Sequence, residues 1–257
     1  MRSRCCTTSR RKTLQEGTSC PLLRLIVLIT TLGHIREMAA VSVSQATGDG
    51  LALRVITDAD HEVWLVLYDP VKTFRALRDA AVLGASNTRN LAISVAYAGA
   101  IVGFVNLLEP EDPCQGAMEV MFSAAEKGFG PLMYDIAMSS SPNGIVSNRT
   151  SVSPRARNVW KSYLERRPDV DALPLDNVDD PKTPPPEDDC KTFGVYGDGH
   201  PLDFAYVTKT GVDVKSLVRA DERFRREKLA STSRDLFDNV IVVAADLFFG
   251  KKYGSAT

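Results

Sequence analysis

Gly128 and Gly130 flank Phe129 in the run Ala124–Gly130 (AAEKGFG), between a segment patterned as a strand, Ala117–Ser123, and one patterned as a helix, Pro131–Ser139. Two glycines at a strand-to-helix junction suit the close approach of an anion. The first amides of a helix have no acceptor inside it, and the helix dipole adds positive potential there. Glycine permits positive φ and leaves the backbone uncovered. The amides of Lys127, Gly128, Phe129, Gly130 and Leu132 could therefore receive a pyrophosphate, with the Lys127 side chain adding charge. A plain strand-to-helix turn carries the same glycines, so the surrounding elements must decide.

Those elements follow from the spacing of apolar residues. Leu51–Ile56 alternates as a first strand. Thr57-Asp58-Ala59-Asp60 offers caps for a helix running to Tyr68, where Pro70 interrupts. Val71–Leu83 has helical spacing at Val71, Phe74, Leu77, Ala81 and Val82. Leu91–Tyr97 and Ala100–Leu108 read as strands joined by the turn Ala98-Gly99 into a hairpin. Gly144–Ser147 is a short apolar strand. Ser153 caps a helix over Arg155–Arg166, with Pro154 suited to its first turn. Asp171–Asp189 is rich in aspartate and proline and reads as an extended acidic strap rather than a packed element. Phe204–Lys209 closes the strand series, and Val214–Lys228 and Ser233–Phe249 are amphipathic helices.

The order predicts an α/β fold with a mixed, mostly antiparallel sheet flanked by helices. Residues 51–210 form its domain, residues 1–50 a non-structural extension, and residues 211–257 a helical appendage whose surface suits a protein partner.

The strand–glycine loop–helix order, with the hairpin before it, resembles the GNAT superfamily of N-acetyltransferases. The family loop reads approximately Gln/Arg-x-x-Gly-x-Gly/Ala. Gly128 and Gly130 match its two small positions, and Ala125 replaces the Gln or Arg. Gly103 in IVGFVNL belongs to the same likeness. The resemblance implies acetyl-CoA as co-substrate, its pantetheine arm beside Ala117–Ser123, and acetyl transfer to a small-molecule or peptide amine. It implies a base, for which Glu119 is the best-placed carboxylate. It also implies a tyrosine acid in a pattern like Asn-x-x-Ala-x-x-Leu/Phe-Tyr. Here Ser153-x-x-Ala156-x-x-Val159-Trp160 keeps the spacing, but Trp160 stands where the tyrosine is expected and an indole is no proton donor. Tyr163, about one turn on, is the substitute; Asp135 is expected to face solvent. The runs AAEKGFGPLMYDIAM, SVSPRARNVWKSYLERRPDV and PLDNVDDPKTPPPEDDC are similar to GNAT-like proteins of tailed bacteriophages. That likeness keeps an alternative open: a catalytically silent module for virion or host interaction.

Composition narrows the remaining classes. A net charge of -1 over 257 residues gives no strong signal for nucleic acid. The basic run Arg223–Lys228 has a solvated helix face as its ordinary explanation. His61 and His200 are isolated, and no spacing suggests a metal. Asp188-Asp189-Cys190 offers a thiol without a partner histidine. Cys114 and Cys190 lie too far apart for a zinc motif and form no disulfide framework, so reduced, cytoplasmic surroundings are expected, the host's if the chain is viral. Residues 1–37 carry seven basic and two acidic side chains. Their apolar run Leu22–Leu32 is short for a membrane span. Three readings compete for the segment: a membrane anchor, a signal or transit segment, and a non-structural stretch ahead of a true start at Met38.

Overall fold

The computed structural model describes residues 41–57, 61–184, 186–191 and 199–253. Chain order runs α1 (Val43–Gly48), β1 (Ala52–Thr57), β2 (Val63–Tyr68), α2 (Pro70–Val82), α3 (Thr88–Tyr97), β3 (Ile101–Leu108) and β4 (Met118–Ala125). It continues with α4 (Gly130–Ser140), β5 (Ile145–Ser147), α5 (Pro154–Arg166), β6 (Val170–Pro174), β7 (Asp176–Asn177), β8 (Asp189–Cys190) and β9 (Phe204–Thr208), and ends in α6 (Lys215–Lys228) and α7 (Arg234–Tyr253). Seven strands form one sheet in the order β1-β2-β3-β4-β5-β9-β6. Every neighbouring pair is antiparallel except β4 and β5. The expected mixed, mostly antiparallel α/β sheet is the fold.

Two elements differ from the expectation. The stretch up to Tyr68 is a strand, not a helix: VWLVLY is β-branched and aromatic, and the sheet buries it. The helix caps expected at Asp58–Asp60 lie outside the described residues. Leu91–Tyr97 belongs to a helix, not a strand. Asn87 accepts from the Asn90 amide as its cap, and Leu91, Ala92, Val95 and Ala96 face inward at helical spacing. The hairpin expected there is absent; β3 pairs instead with β2 and β4.

The sheet carries a core on each face. One cluster packs Leu53, Leu65, Val105 and Ile145 under α4 and α5, with Leu132, Met133, Ile136, Trp160 and Tyr163. Gly103 makes this packing close: a Cβ there would lie 2.9 Å from Met133 Cγ. The opposite cluster packs Val66, Ile101 and Phe104 under α3 and α7, through Val95, Phe237, Ile241 and Ala244. Helix α6 contributes Leu217 to the first cluster and Phe224 to the second, and so packs beside edge strand β1. Residues 211–253 are thus part of the core, not an appendage. A buried ionic knot reinforces this. Arg54 on β1 donates to Asp238 of α7 at 2.6 Å and to Asp221 of α6 at 3.2 Å, and Tyr68 donates to Asp221 at 2.8 Å.

The boundary drawn at residue 50 also moves. Ser42 and Gln45 form a capping box that starts α1, and Ala46 is fully buried. Residues 1–40 lie outside the described residues. The acidic strap is packed as well. Asp176 accepts from the Lys182 amide and from the Thr183 amide (2.6 Å) and hydroxyl (2.9 Å), and β7 pairs with β8. Cys114 and Cys190 are joined by a disulfide, which corrects the expectation of two separate thiols. With Ala117, Val146 and Ala205 they form a third apolar cluster at the β5–β9 end of the sheet. Disulfides mark oxidising surroundings, so cysteine usage no longer argues for reducing ones.

Candidate functional site

Strand β4 is where the sheet opens. Its ladder with β3 runs to Gly103↔Ala125, whereas its parallel ladder with β5 stops at Val120↔Ser147. Beyond that point no described strand continues on the β5 side of Met121–Ala124. The chain then turns through the glycine loop into α4. The Glu126 amide donates to Val102 O at 2.7 Å, and the Phe129 amide to Glu126 O at 3.0 Å. Gly128 sits at φ 91°, a conformation that disfavours any side chain. Gly130 is the first residue of α4, and a Cβ added there meets no atom within 4 Å. Open space therefore adjoins the helix start.

The loop residues named from the sequence divide by role. Phe129 uses its amide within the loop and packs its ring against the core. Pro131 has no amide proton. Among the described residues, the amides of Gly128, Gly130 and Leu132 have no acceptor. Leu132 is buried, so only its backbone can face a ligand. Lys127 is exposed. Val41 crosses the loop and donates to Gly128 O at 3.1 Å, which ties the N-terminal segment to it.

The expected catalytic pair is not brought together. Glu119 pairs across β4–β5 with Val146, on the face of the third cluster, and its Oε1 accepts from the Arg149 amide at 2.9 Å. The Arg149 guanidinium is buried and donates to Ser147 O (2.8 Å), Leu202 O (2.6 Å), Lys191 O (3.2 Å) and the Ser147 hydroxyl. Burial pushes it down to about 10, against the pull of Asp203 and Glu119, so it stays cationic at neutral pH. Glu119 thus anchors the segment that follows β5. Tyr163 belongs to the α4–α5 face. Its hydroxyl donates to Asp135 at 2.8 Å, and the Arg167 guanidinium lies 5.1 Å over its ring. Burial, then Asp135, drives the phenol well above its ordinary value. Asp135 does not face solvent: it is held by Tyr163 and by Arg167 at 3.1 Å, and burial raises its carboxyl. Trp160 is buried in an aromatic cluster with Tyr134 and Tyr206.

A different tyrosine reaches the open edge. Tyr134, in the second turn of α4, shares a 2.8 Å hydrogen bond with the Ser123 hydroxyl on β4. Ser123 is half-buried and lies beyond the end of the β5 ladder. Burial raises the Tyr134 phenol, and the bond to Ser123 opposes that. The only sequence hint was a small hydroxyl in an apolar strand.

Among the described residues, no His, Cys, Asp and Glu group is arranged to hold a metal ion, and no helix is long and apolar enough to cross a membrane. An open depression of about 310 Å³ between α2 and α3, lined by Lys72, Arg75, Asp79 and Leu83, lies away from the glycine loop. The loop, with its glycines, exposed lysine and adjoining hydroxyls, is the chemically better candidate. Comparison of the chain with family models, curated proteins and solved structures finds no match.

Proposed function

We propose that this chain is a GNAT-like N-acyltransferase that uses acetyl-CoA and an amine acceptor. One observation carries the reading: the strand edge left by β5 at Val120 leads directly into a glycine loop at a helix start. An open strand edge suits the amides of a pantetheine arm, because it offers backbone donors and acceptors. The helix start suits the pyrophosphate. Gly128 and Gly130 supply amides there, Lys127 supplies charge, and the space beside Gly130 admits the phosphates. The bound coenzyme supplies an acyl thioester.

The protein's own groups then divide the work. A β4 amide near Ser123 steadies the carbonyl oxygen as it gains charge. The Ser123–Tyr134 pair returns a proton to the departing sulfur, in the role first assigned to Tyr163. Tyr163 is engaged by Asp135 and holds α5 to α4. Glu119, first assigned as the base, positions Arg149 and the end of β5. The silent-module reading is favoured by one specific observation, the burial of Trp160 and Tyr163 in the aromatic core.

Calorimetric titration of CoA and acetyl-CoA into the full chain tests the reading. Micromolar binding is expected, weakened about 100-fold, or roughly 2.7 kcal/mol, by Gly130→Arg. Because a Cβ at Gly130 meets no atom within 4 Å, that substitution obstructs the ligand rather than the fold. No heat at millimolar ligand, or equal affinity in the variant, would refute the cradle.

A further inference from the structure

The acidic strap holds its shape through bonds to itself. Asp176 accepts from the Asn177 amide at 2.9 Å and from the amides of Lys182 and Thr183. The Thr183 hydroxyl lies between Asp176 and Asp188, 2.9 Å from a carboxylate oxygen of each. β7 pairs with β8, and the Val178 amide donates to Cys190 O at 3.2 Å. The contacts that fasten this body to the rest of the protein gather at its end. Cys190 is bonded to Cys114, the Lys191 amide donates to Asp112 at 2.9 Å, and Arg149 donates to Lys191 O at 3.2 Å. Among the described residues after Asp176, the strap gives the third apolar cluster Cys190 alone, and the cluster's other buried members are Cys114, Ala117, Val146 and Ala205. Small side chains make a small core, so the covalent bond carries much of the attachment.

The closed strap also carries costs. Asp188 Oδ1 and Asp189 Oδ1 are buried and accept no hydrogen bond among the described residues. The Asp189 carboxyl is raised, by burial first and then by the charges of Asp188, Asp176, Asp112 and Glu187. Beside the bond, Cys114 and Gln115 are both held at positive φ. Opening would hydrate the carboxylates, separate Asp112 from the strap's acids and free the backbone at Cys114. The disulfide holds the strap down against all three.

We propose that the Cys114–Cys190 disulfide is a redox latch: its reduction by a dithiol releases residues 176–184 and 186–191 from the end of the sheet while the seven strands stay folded. The dithiol gives up two electrons and two protons. The S–S bond breaks, each cysteine sulfur leaves as a thiol, and the dithiol closes into a cyclic disulfide. Both cysteines are fully buried, so the reductant enters through local opening of the strap. The Arg149 guanidinium lies 4.0 Å from Cys190 Sγ. A cation there favours the thiolate, which makes Cys190 the better leaving sulfur and directs attack to Cys114.

The test is limited trypsin digestion of the full chain, below its Tm, with and without a dithiol. Backbone hydrogen exchange of β3 is followed in parallel. Cleavage after Lys191 reports release, because Arg149 holds the carbonyl of the bond to be cut. That cleavage should be about tenfold faster in the reduced protein, with β3 amides still protected. Cys114→Ser/Cys190→Ser should match the reduced rate without dithiol, and dithiol treatment of the parent protein makes the same measurement with no substitution. Removing the dithiol and reoxidising should restore slow cleavage. Equal cleavage in the two redox states would overturn the latch. So would loss of β3 protection together with strap release, or a bond that stays intact until the sheet unfolds.

Discussion

Reducing the Cys114–Cys190 disulfide should destabilise the protein by several kcal/mol. The bond spans a sequence separation of 76 residues, and both cysteines are fully buried. Closing a loop of that length removes entropy from the unfolded chain worth about 4.5 kcal/mol at 25 °C. A local cost works the other way. Cys114 (φ 45°) and Gln115 (φ 62°) both lie in the left-handed region, at about 1 kcal/mol each. If reduction relieved both, about 2.5 kcal/mol would remain, roughly the lower bound. For a chain of this size these limits correspond to a fall in Tm of about 5–18 °C. The assay is a thermal scan of the full chain with and without a dithiol reductant, and of the Cys114→Ser/Cys190→Ser variant. Peptide mapping after alkylation without reductant establishes the pairing. Alkylation of both cysteines in the native oxidised protein would refute the bond. An intact bond whose reduction moves Tm by less than about 2 °C would refute the entropic reasoning.

Three further outcomes follow from single contacts. Gly144 has φ 80°, and a Cβ there would come within 2.1 Å of Tyr206 O. Gly144→Ala should therefore cost about 3 kcal/mol or more and disturb the β5–β9 pairing; a urea midpoint within error of the parent protein would contradict this. Arg54→Met removes the guanidinium shared by Asp221 and Asp238 but leaves Asp221 to Arg225 at 2.9 Å and Asp238 to Arg234 at 3.8 Å, and should cost about 1–3 kcal/mol. Loss of less than 1 kcal/mol (roughly) in urea unfolding would show the knot to be dispensable. Tyr163→Phe should lower stability by about 1–2 kcal/mol through the lost bond to Asp135, with turnover retained. Tyr134→Phe should do the reverse, lowering turnover while CoA affinity stays constant. Equal turnover in the two variants would remove the Ser123–Tyr134 pair from the mechanism.

Where local pattern and tertiary packing agree, the elements were legible in sequence. Ser153 and Pro154 start α5 as their types require, with the Ser153 hydroxyl accepting from the Ala156 amide at 3.3 Å. The glycine loop was legible for the same reason: positive φ at Gly128 is a local demand that glycine meets. Leu91–Tyr97 misled because its β-branched and small apolar residues suit either state, and the Asn87 cap and the α7 surface decide for helix. The candidate site was legible only in part. Sequence named the loop, but not which of its amides remain available after Phe129 bonds to Glu126.

The sequence by itself determined the class of fold, the order of most elements and the place of the glycine loop, because spacing and capping act within a few residues. Tertiary structure alone decided which distant groups meet. It placed Tyr163 on Asp135 and Tyr134 on Ser123, pairings that nothing in the spacing of either tyrosine announces. It set Glu119 on the opposite sheet face, because side chains alternate along a strand. It joined Cys114 to Cys190 across 76 positions and drew Arg54 to Asp221 and Asp238. Such contacts depend on how the sheet is ordered and which face each strand presents, and no short window of sequence contains that information.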